Sequence, residues 1–184
     1  MTVVYRIDRL HADGLAEAAP QLTDLLVRTV DDGSSVGFAA PLDPRVAREW
    51  WLGLYDALAG PDALMWVARD AGGRIVGTVQ IHRGRFPNGR HRGEVNKLMV
   101  HPDTRGTGLG RRLLETAEAA APGFGLLLLI LDTETGSVAE KLYAAAGWSE
   151  CGRIPDFAHN ATGRLHPTTL FAKRLDGRPL GSGS

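Results

Sequence analysis

The segment that most constrains this chain runs Val100-His101-Pro102-Asp103-Thr104-Arg105-Gly106-Thr107-Gly108-Leu109-Gly110-Arg111-Arg112-Leu113. Three glycines stand at alternate positions between an apolar strand-like run and a strongly helical one. Glycine is costly to order and is kept where the main chain must take positive φ or let a ligand come close. Successive N–H groups there, joined to the orphan donors of a helix start, form a nest for an anion. Arg105 and Arg111 add positive charge at its rim, and the preferred ligand is a pyrophosphate. The alternative is a glycine-rich turn that binds nothing.

Two nucleotide loops fail on spacing. A phosphate-binding P-loop requires Lys-Ser/Thr after its last glycine, and no lysine follows here. A dinucleotide fingerprint requires G-x-G-x-x-G. Counted from Gly106 the sixth residue is Arg111, and counted from Gly108 it is Leu113.

The remaining chain predicts an ordinary globular setting for this loop. Its 184 residues suit one domain, expected over residues 1–176 with a flexible tail over 177–184. Lys plus Arg and Asp plus Glu each number 21, so no global charge draws it to a nucleic-acid backbone. The lone Cys151 excludes an internal disulfide, and its setting makes it a poor nucleophile. The histidines show no metal-ligand spacing, so no metal is expected. The longest apolar run, Leu126 to Leu131, is too short to span a membrane, and no apolar leader is seen. A cytoplasmic protein with no membrane partner is expected. Uncovered apolar edges would suit a homodimer.

Hydrophobic periodicity predicts the elements. A first strand holds Val3, Tyr5 and Ile7, and a helix covers Leu15 to Val30. A second helix starts at the Asp43-Pro44 cap, shows Val46, Trp50, Leu54 and Leu58 on one face, and stops at Gly60-Pro61. Strands follow over Ala63 to Arg69, Arg74 to His82 and Glu94 to Val100. Then come a helix over Leu109 to Ala121, a central strand over Leu126 to Leu131 and a helix over Gly136 to Ala146. Strands over Trp148 to Ile154 and Thr168 to Leu175 close the chain. The order β-α-α-β-β-β-α-β-α-β-β implies a mixed α/β domain. Its central sheet should be mostly antiparallel, of about seven strands, with helices on both faces and a parallel pair around Leu109.

Arg105-x-x-Gly108-x-Gly110 at a strand-to-helix junction resembles the pyrophosphate loop of the GCN5-related N-acetyltransferase (GNAT) family. Lys97-Leu98-Met99-Val100-His101-Pro102 looks like that family's fourth strand. Ala139-x-x-Leu142-Tyr143-x-x-x-Gly147-Trp148 looks like its second cofactor segment. Further runs, among them Ser35-Val36-Gly37-Phe38 and Gly163-Arg164-Leu165-His166-Pro167-Thr168, resemble a subgroup that acetylates the amino-acid toxin tabtoxin. The likeness spans roughly residues 28 to 175.

The resemblance implies the GNAT fold, acetyl-CoA as co-substrate and a small-molecule primary amine as acceptor, an amino-acid-like toxin or antibiotic. It implies that Met99 and Val100 pair with the pantetheine arm, and that Arg105, Gly106, Thr107, Gly108, Leu109, Gly110 and Arg111 hold the diphosphate. Ser137 would bond the pantetheine arm. Glu94 and Asp132 are the candidate general bases, and Tyr143 the proton donor to the departing thiolate. Against these stand a solvated strand residue for Glu94, a turn or cap residue for Asp132 and a core aromatic for Tyr143. Ser35, Phe38, Glu94, Asp132 and His166 are expected around the acceptor, with the helix start near Asp43. The basic stretch Arg83, Arg85, Arg90, His91 and Arg92 would favour a carboxylate-bearing acceptor. The competing functions are a protein or peptide N-acetyltransferase and a non-catalytic binder of a toxin or acyl-CoA.

Overall fold

The computed structural model describes residues 4–34, 36–160 and 163–181. In chain order its elements are β1 (Arg6–Arg9), α1 (Ala12–Asp31), α2 (Pro44–Leu52), α3 (Tyr55–Ala59), β2 (Ala63–Arg69), β3 (Ile75–Arg83) and β4 (Arg92–Val100). Then follow α4 (Leu109–Ala120), β5 (Leu128–Glu134), α5 (Val138–Ala145), β6 (Ser149–His159) and β7 (Leu165–Arg174). The strands form one seven-stranded sheet in the order β1-β2-β3-β4-β5-β7-β6. All neighbours are antiparallel except β4 and β5, which are joined through α4 and run parallel.

Both faces of the sheet are covered. Successive side chains of a strand point to opposite faces, and β2 shows the result. Its Leu64 and Trp66 join the core under α4, with Leu113, Leu114, Val95 and Leu129. Its Met65 and Val67 join a second core under α1 and α2, with Leu15, Leu22, Leu26 and Trp51. A strand buried on both sides carries an unbroken apolar run, which is why Ala63 to Arg69 reads so clearly.

Four expectations are corrected. The helix drawn from Asp43 to Leu58 is two helices, because α2 stops at its cap Gly53 and α3 restarts at Tyr55. Its buried face holds Ala47 and Trp51, while Val46 is 49% exposed. The central strand starts and ends later than drawn: Leu127 is half exposed and Asp132 lies inside β5 rather than at its end. Finally, the connection left between the strands ending at Ile154 and starting at Thr168 is mostly strand. β6 extends to His159 and β7 starts at Leu165, so Pro155 and Pro167 sit in strands. Pro155 lies on the edge strand β6, within the register break between Ile154 and Ala158, and Pro167 of β7 lies opposite that break and beyond the last β5–β7 pair, Glu134↔Thr168, so neither proline removes a ladder hydrogen bond.

The feature that shapes the site is the parting of β4 from β5. They pair at Arg92↔Leu128, Gly93↔Leu129 and Glu94↔Ile130, and there the ladder ends, although both strands continue. Gly93 leaves room for the tight packing next to the last pair: a Cβ there would lie 2.6 Å from Ile81 Cγ2 of β3 and 3.2 Å from Leu129 Cδ2 of β5. Beyond it, the β3–β4 register jumps between Gln80↔Asn96 and Thr78↔Met99. Lys97, at φ 50°, and Leu98 thus oppose the single residue Val79. An extra residue of this kind bends a strand and increases its twist, which carries β4 away from β5.

Candidate functional site

A cavity of about 1070 Å³ occupies the gap between the parted strands. One end lies against the glycine loop, the other against carboxylates of β4 and β5.

At the first end, Gly106 and Gly108 adopt φ 74° and 79°, the left-handed region that glycine enters without strain. Gly108 is the N-cap of α4, so the helix start has no side-chain cap. Among the described residues, the main-chain N–H groups from Gly106 to Arg111 have no hydrogen-bond acceptor. Orphan N–H groups at a helix start, with the positive end of its dipole, favour an anion. The flanking arginines are less free than the sequence suggests. Arg105 pairs with Asp32 and reaches Ser34 Oγ at 3.3 Å. Arg111 donates to Glu115 at 2.8 Å and to the Ala145 carbonyl at 2.9 Å. Both still line the cavity with Gly106, Gly108, Leu109 and Gly110. Thr107 does not; its hydroxyl donates back to the Thr104 carbonyl at 2.7 Å.

The walls are Met99 and Val100 from β4 and Ser137, Leu142 and Tyr143 from the start and body of α5. Ser137 caps α5, its Oγ accepting from Glu140 N–H at 3.1 Å. The Tyr143 ring is buried against Trp148 and Phe171. Burial, with the charge of Asp132 second, pushes its phenol far above the usual value, so the hydroxyl keeps its proton.

At the far end, Glu94 from β4 and Asp132 and Glu134 from β5 line the cavity. Asp132 and Glu134 are two residues apart and therefore share one face of β5. The buried Thr168 lies with Oγ 3.0 Å from Asp132 Oδ2 and 2.9 Å from the Thr133 carbonyl, so its one proton serves two acceptors. His166 Nδ1 is 3.3 Å from Glu134 Oε1. Phe38, Phe157 and His159 complete this end. Lys97 also lines it: its ammonium is 4.9 Å from the centroid of Trp50 and 5.8 Å from that of Phe38. Burial pushes the Lys97 pKa down, while the charges of Asp132 and Glu94 hold it up against that.

Glu94, Asp132, Tyr143, Phe38, His166, Met99, Val100, Ser137 and the glycine loop thus converge on one cavity from separate elements. Ser35 lies outside the described residues. Asp43 is not at the cavity; it caps α2 and pairs with Arg45 on the surface. Nor is the basic stretch. Arg92 pairs with Leu128 at the closed end of the β4–β5 ladder, Arg83 binds the Phe124 carbonyl, and Arg90 binds Asp62. Lys97 and Glu134 carry charge into the cavity, and sequence reasoning passed over both. Alternation from Asp132 could have found Glu134. Lys97 could not be aimed without the bulge.

The sequence model of the acetyltransferase (GNAT) family matches residues 23–148. A protein of Azospirillum brasilense named IAA acetyltransferase is 36% identical over 120 residues, covering 64% of this chain and 71% of that one. A GCN5-related N-acetyltransferase from Kribbella flavida superposes with TM-score 0.76 at 22% identity, over 92% of this chain and 97% of that one. The Salmonella typhimurium protein yncA, solved with its cofactor acetyl-CoA, gives 0.75 at 18% identity over 98% and 99% of the two chains.

Proposed function

Because the chain belongs to the acetyltransferase (GNAT) family, we propose that it moves the acetyl group of acetyl-CoA onto a primary amine of a small molecule. The acceptor we favour is an amino-acid-like toxin or antibiotic, modified in the cytoplasm. The observation that carries this reading is one cavity joining two kinds of chemistry: unpaired main-chain donors from Gly106 to Arg111 at one end, Glu94 and Asp132 at the other.

The fit to acetyl-CoA rests on the glycine loop. Its N–H groups would hold the diphosphate, and a side chain at Gly106 or Gly108 would be strained at their φ. Past the parting, Met99 and Val100 offer strand-edge main chain to the pantetheine arm, because β5 no longer pairs there. When bound, acetyl-CoA supplies a thioester that is already reactive.

This chain's residues then have three tasks. Asp132 or Glu94, directly or through water, takes a proton from the acceptor ammonium and leaves a nucleophilic amine. Thr168 holds the Asp132 carboxylate in one orientation. Tyr143, protonated throughout the physiological range, returns a proton to the sulfur as the new N–C bond replaces the C–S bond. The strand walls and Phe38 would fix the partners side by side, the larger part of the acceleration in such a transfer.

We favour a small acceptor over a peptide because, among the described residues, Gly37 and Phe38 of the loop after α1 stand beside Lys97 across the far end. The test is a thiol-release screen of amines with acetyl-CoA, starting from amino acids and amino-acid antibiotics, with IAA, for which a relative is named, assayed beside them. Mass spectrometry should show a product heavier by one acetyl group. Binding without thiol release would reduce the chain to a binder, and release only with peptides would overturn the small-molecule acceptor.

A further inference from the structure

Lys97 has no part in the chemistry above, yet its head group is placed with care. It sits on the bulge of β4 at φ 50°, a costly conformation for a side-chain-bearing residue, which must be held by its surroundings. From there the ammonium crosses the far end to the loop after α1, where a Cβ on Gly37 would lie 3.4 Å from Nζ. The faces of Trp50 and Phe38 flank it. Aromatic faces stabilise the charge but leave N–H donors unused, and among the described residues Lys97 has no hydrogen-bond acceptor or ion-pair partner. The charged and titratable groups around it are Asp132 and Glu94, with His82 behind on β3. The far end therefore carries a cation with free donors near two carboxylates, while a third, Glu134, stands beside His166.

Resting on the acetyl-transfer reading, we infer that Lys97 receives a carboxylate of the acceptor, so that the substrate is a zwitterion. Its ammonium faces Glu94 and Asp132 while its carboxylate faces Lys97. A plain amine would satisfy the carboxylates and leave Lys97 unpaired. A dianion would meet repulsion from Glu94 and Asp132. An amino acid satisfies both signs at once and is oriented by them, so that its nitrogen is turned toward the bases. The role that the basic stretch at Arg83 to Arg92 was expected to play falls to this one residue inside the cavity. Burial pushes its pKa down, so the preference should fade as pH rises, before an ordinary lysine would titrate near 10.4.

The experiment compares L-amino acids with their carboxamides as acceptors, using the whole chain, acetyl-CoA and mass spectrometric detection. The wild-type protein should favour the free acids by about ten- to a hundredfold in kcat/KM, the range of one charge-assisted hydrogen bond. Lys97→Gln should bring that ratio close to one, mainly through KM of the free acid, and Lys97→Arg should restore it. A residue that merely pins the loop through Trp50 and Phe38 would lower both substrates together, and an unchanged ratio in Lys97→Gln overturns the inference. If Lys97→Gln does not fold, equal use of acids and carboxamides by the wild-type protein overturns it just as well. In either case acetyl transfer itself stands. Absence of acetyl product and of thiol release with every amine sinks the transfer reading and this inference with it.

Discussion

The two ends of the cavity are built in opposite ways. The glycine-loop end is main chain from a single contiguous segment, Gly106 to Arg111, set by two left-handed glycines and a helix without a side-chain cap. The far end is side chains from five places: Lys97 and Glu94 on β4, Asp132 and Glu134 on β5, Phe157 and His159 on β6, His166 and Thr168 on β7, and the residues around Phe38 after α1. A main-chain site tolerates substitution only where no side chain is needed, and it is broken by adding one. A side-chain site is broken by removing one functional group at constant shape. Donor binding and acceptor chemistry should therefore fail separately.

Exchanging the two carboxylates proposed as bases should have the largest effect. Glu94→Gln with Asp132→Asn should lower kcat by about a hundredfold or more, the usual worth of general-base catalysis, with acetyl-CoA affinity by calorimetry nearly unchanged. Full activity in the double variant would remove the base assignment. Gly108→Val should do the reverse. Forcing a β-branched residue to φ 79° at the helix start costs on the order of 1–2 kcal/mol. KM for acetyl-CoA should rise about tenfold or more while acceptor KM holds. If acceptor KM rises equally, the two ends are not separable. Tyr143→Phe should reduce kcat by about tenfold at the thiolate-forming step and leave both KM values near wild type.

Arg105→Ala should change acetyl-CoA binding only a few-fold, because its guanidinium is already committed to Asp32 and Ser34. Surface pairs of this kind are worth at most about 1 kcal/mol. The smallest effect concerns pH. The Thr169 hydroxyl, then Gly136 N–H, holds the Glu140 carboxyl below its usual range. Its folded pKa is depressed, so it stabilises above the unfolded value near 4.3 and that contribution is lost as pH falls through the folded value. Glu140→Gln should make thermal stability less sensitive to acid, as read by Tm between pH 3 and 6.

The strand and helix order was legible in the sequence because each element carries its own period, from the apolar run of β2 to the helical stripe of α1. Splitting the second helix was not, since Gly53 ends α2 in an ordinary helical conformation that no local rule demands. The displaced end of β5 has a plain cause: strand pairing with β7, which runs to Glu134↔Thr168, overrides the loss of hydrophobicity after Leu131.

Sequence alone determined the glycine loop and the family it marks, because a run of bare main chain needs glycines at fixed offsets and nothing else can substitute for them. Tertiary structure decided the far end of the cavity. Whether a charge faces solvent or cavity depends on the bulge at Lys97, on where β4 leaves β5, and on which strands lie beside them. These are long-range outcomes of packing, and so Lys97 entered the cavity while the five basic residues between Arg83 and Arg92 stayed out.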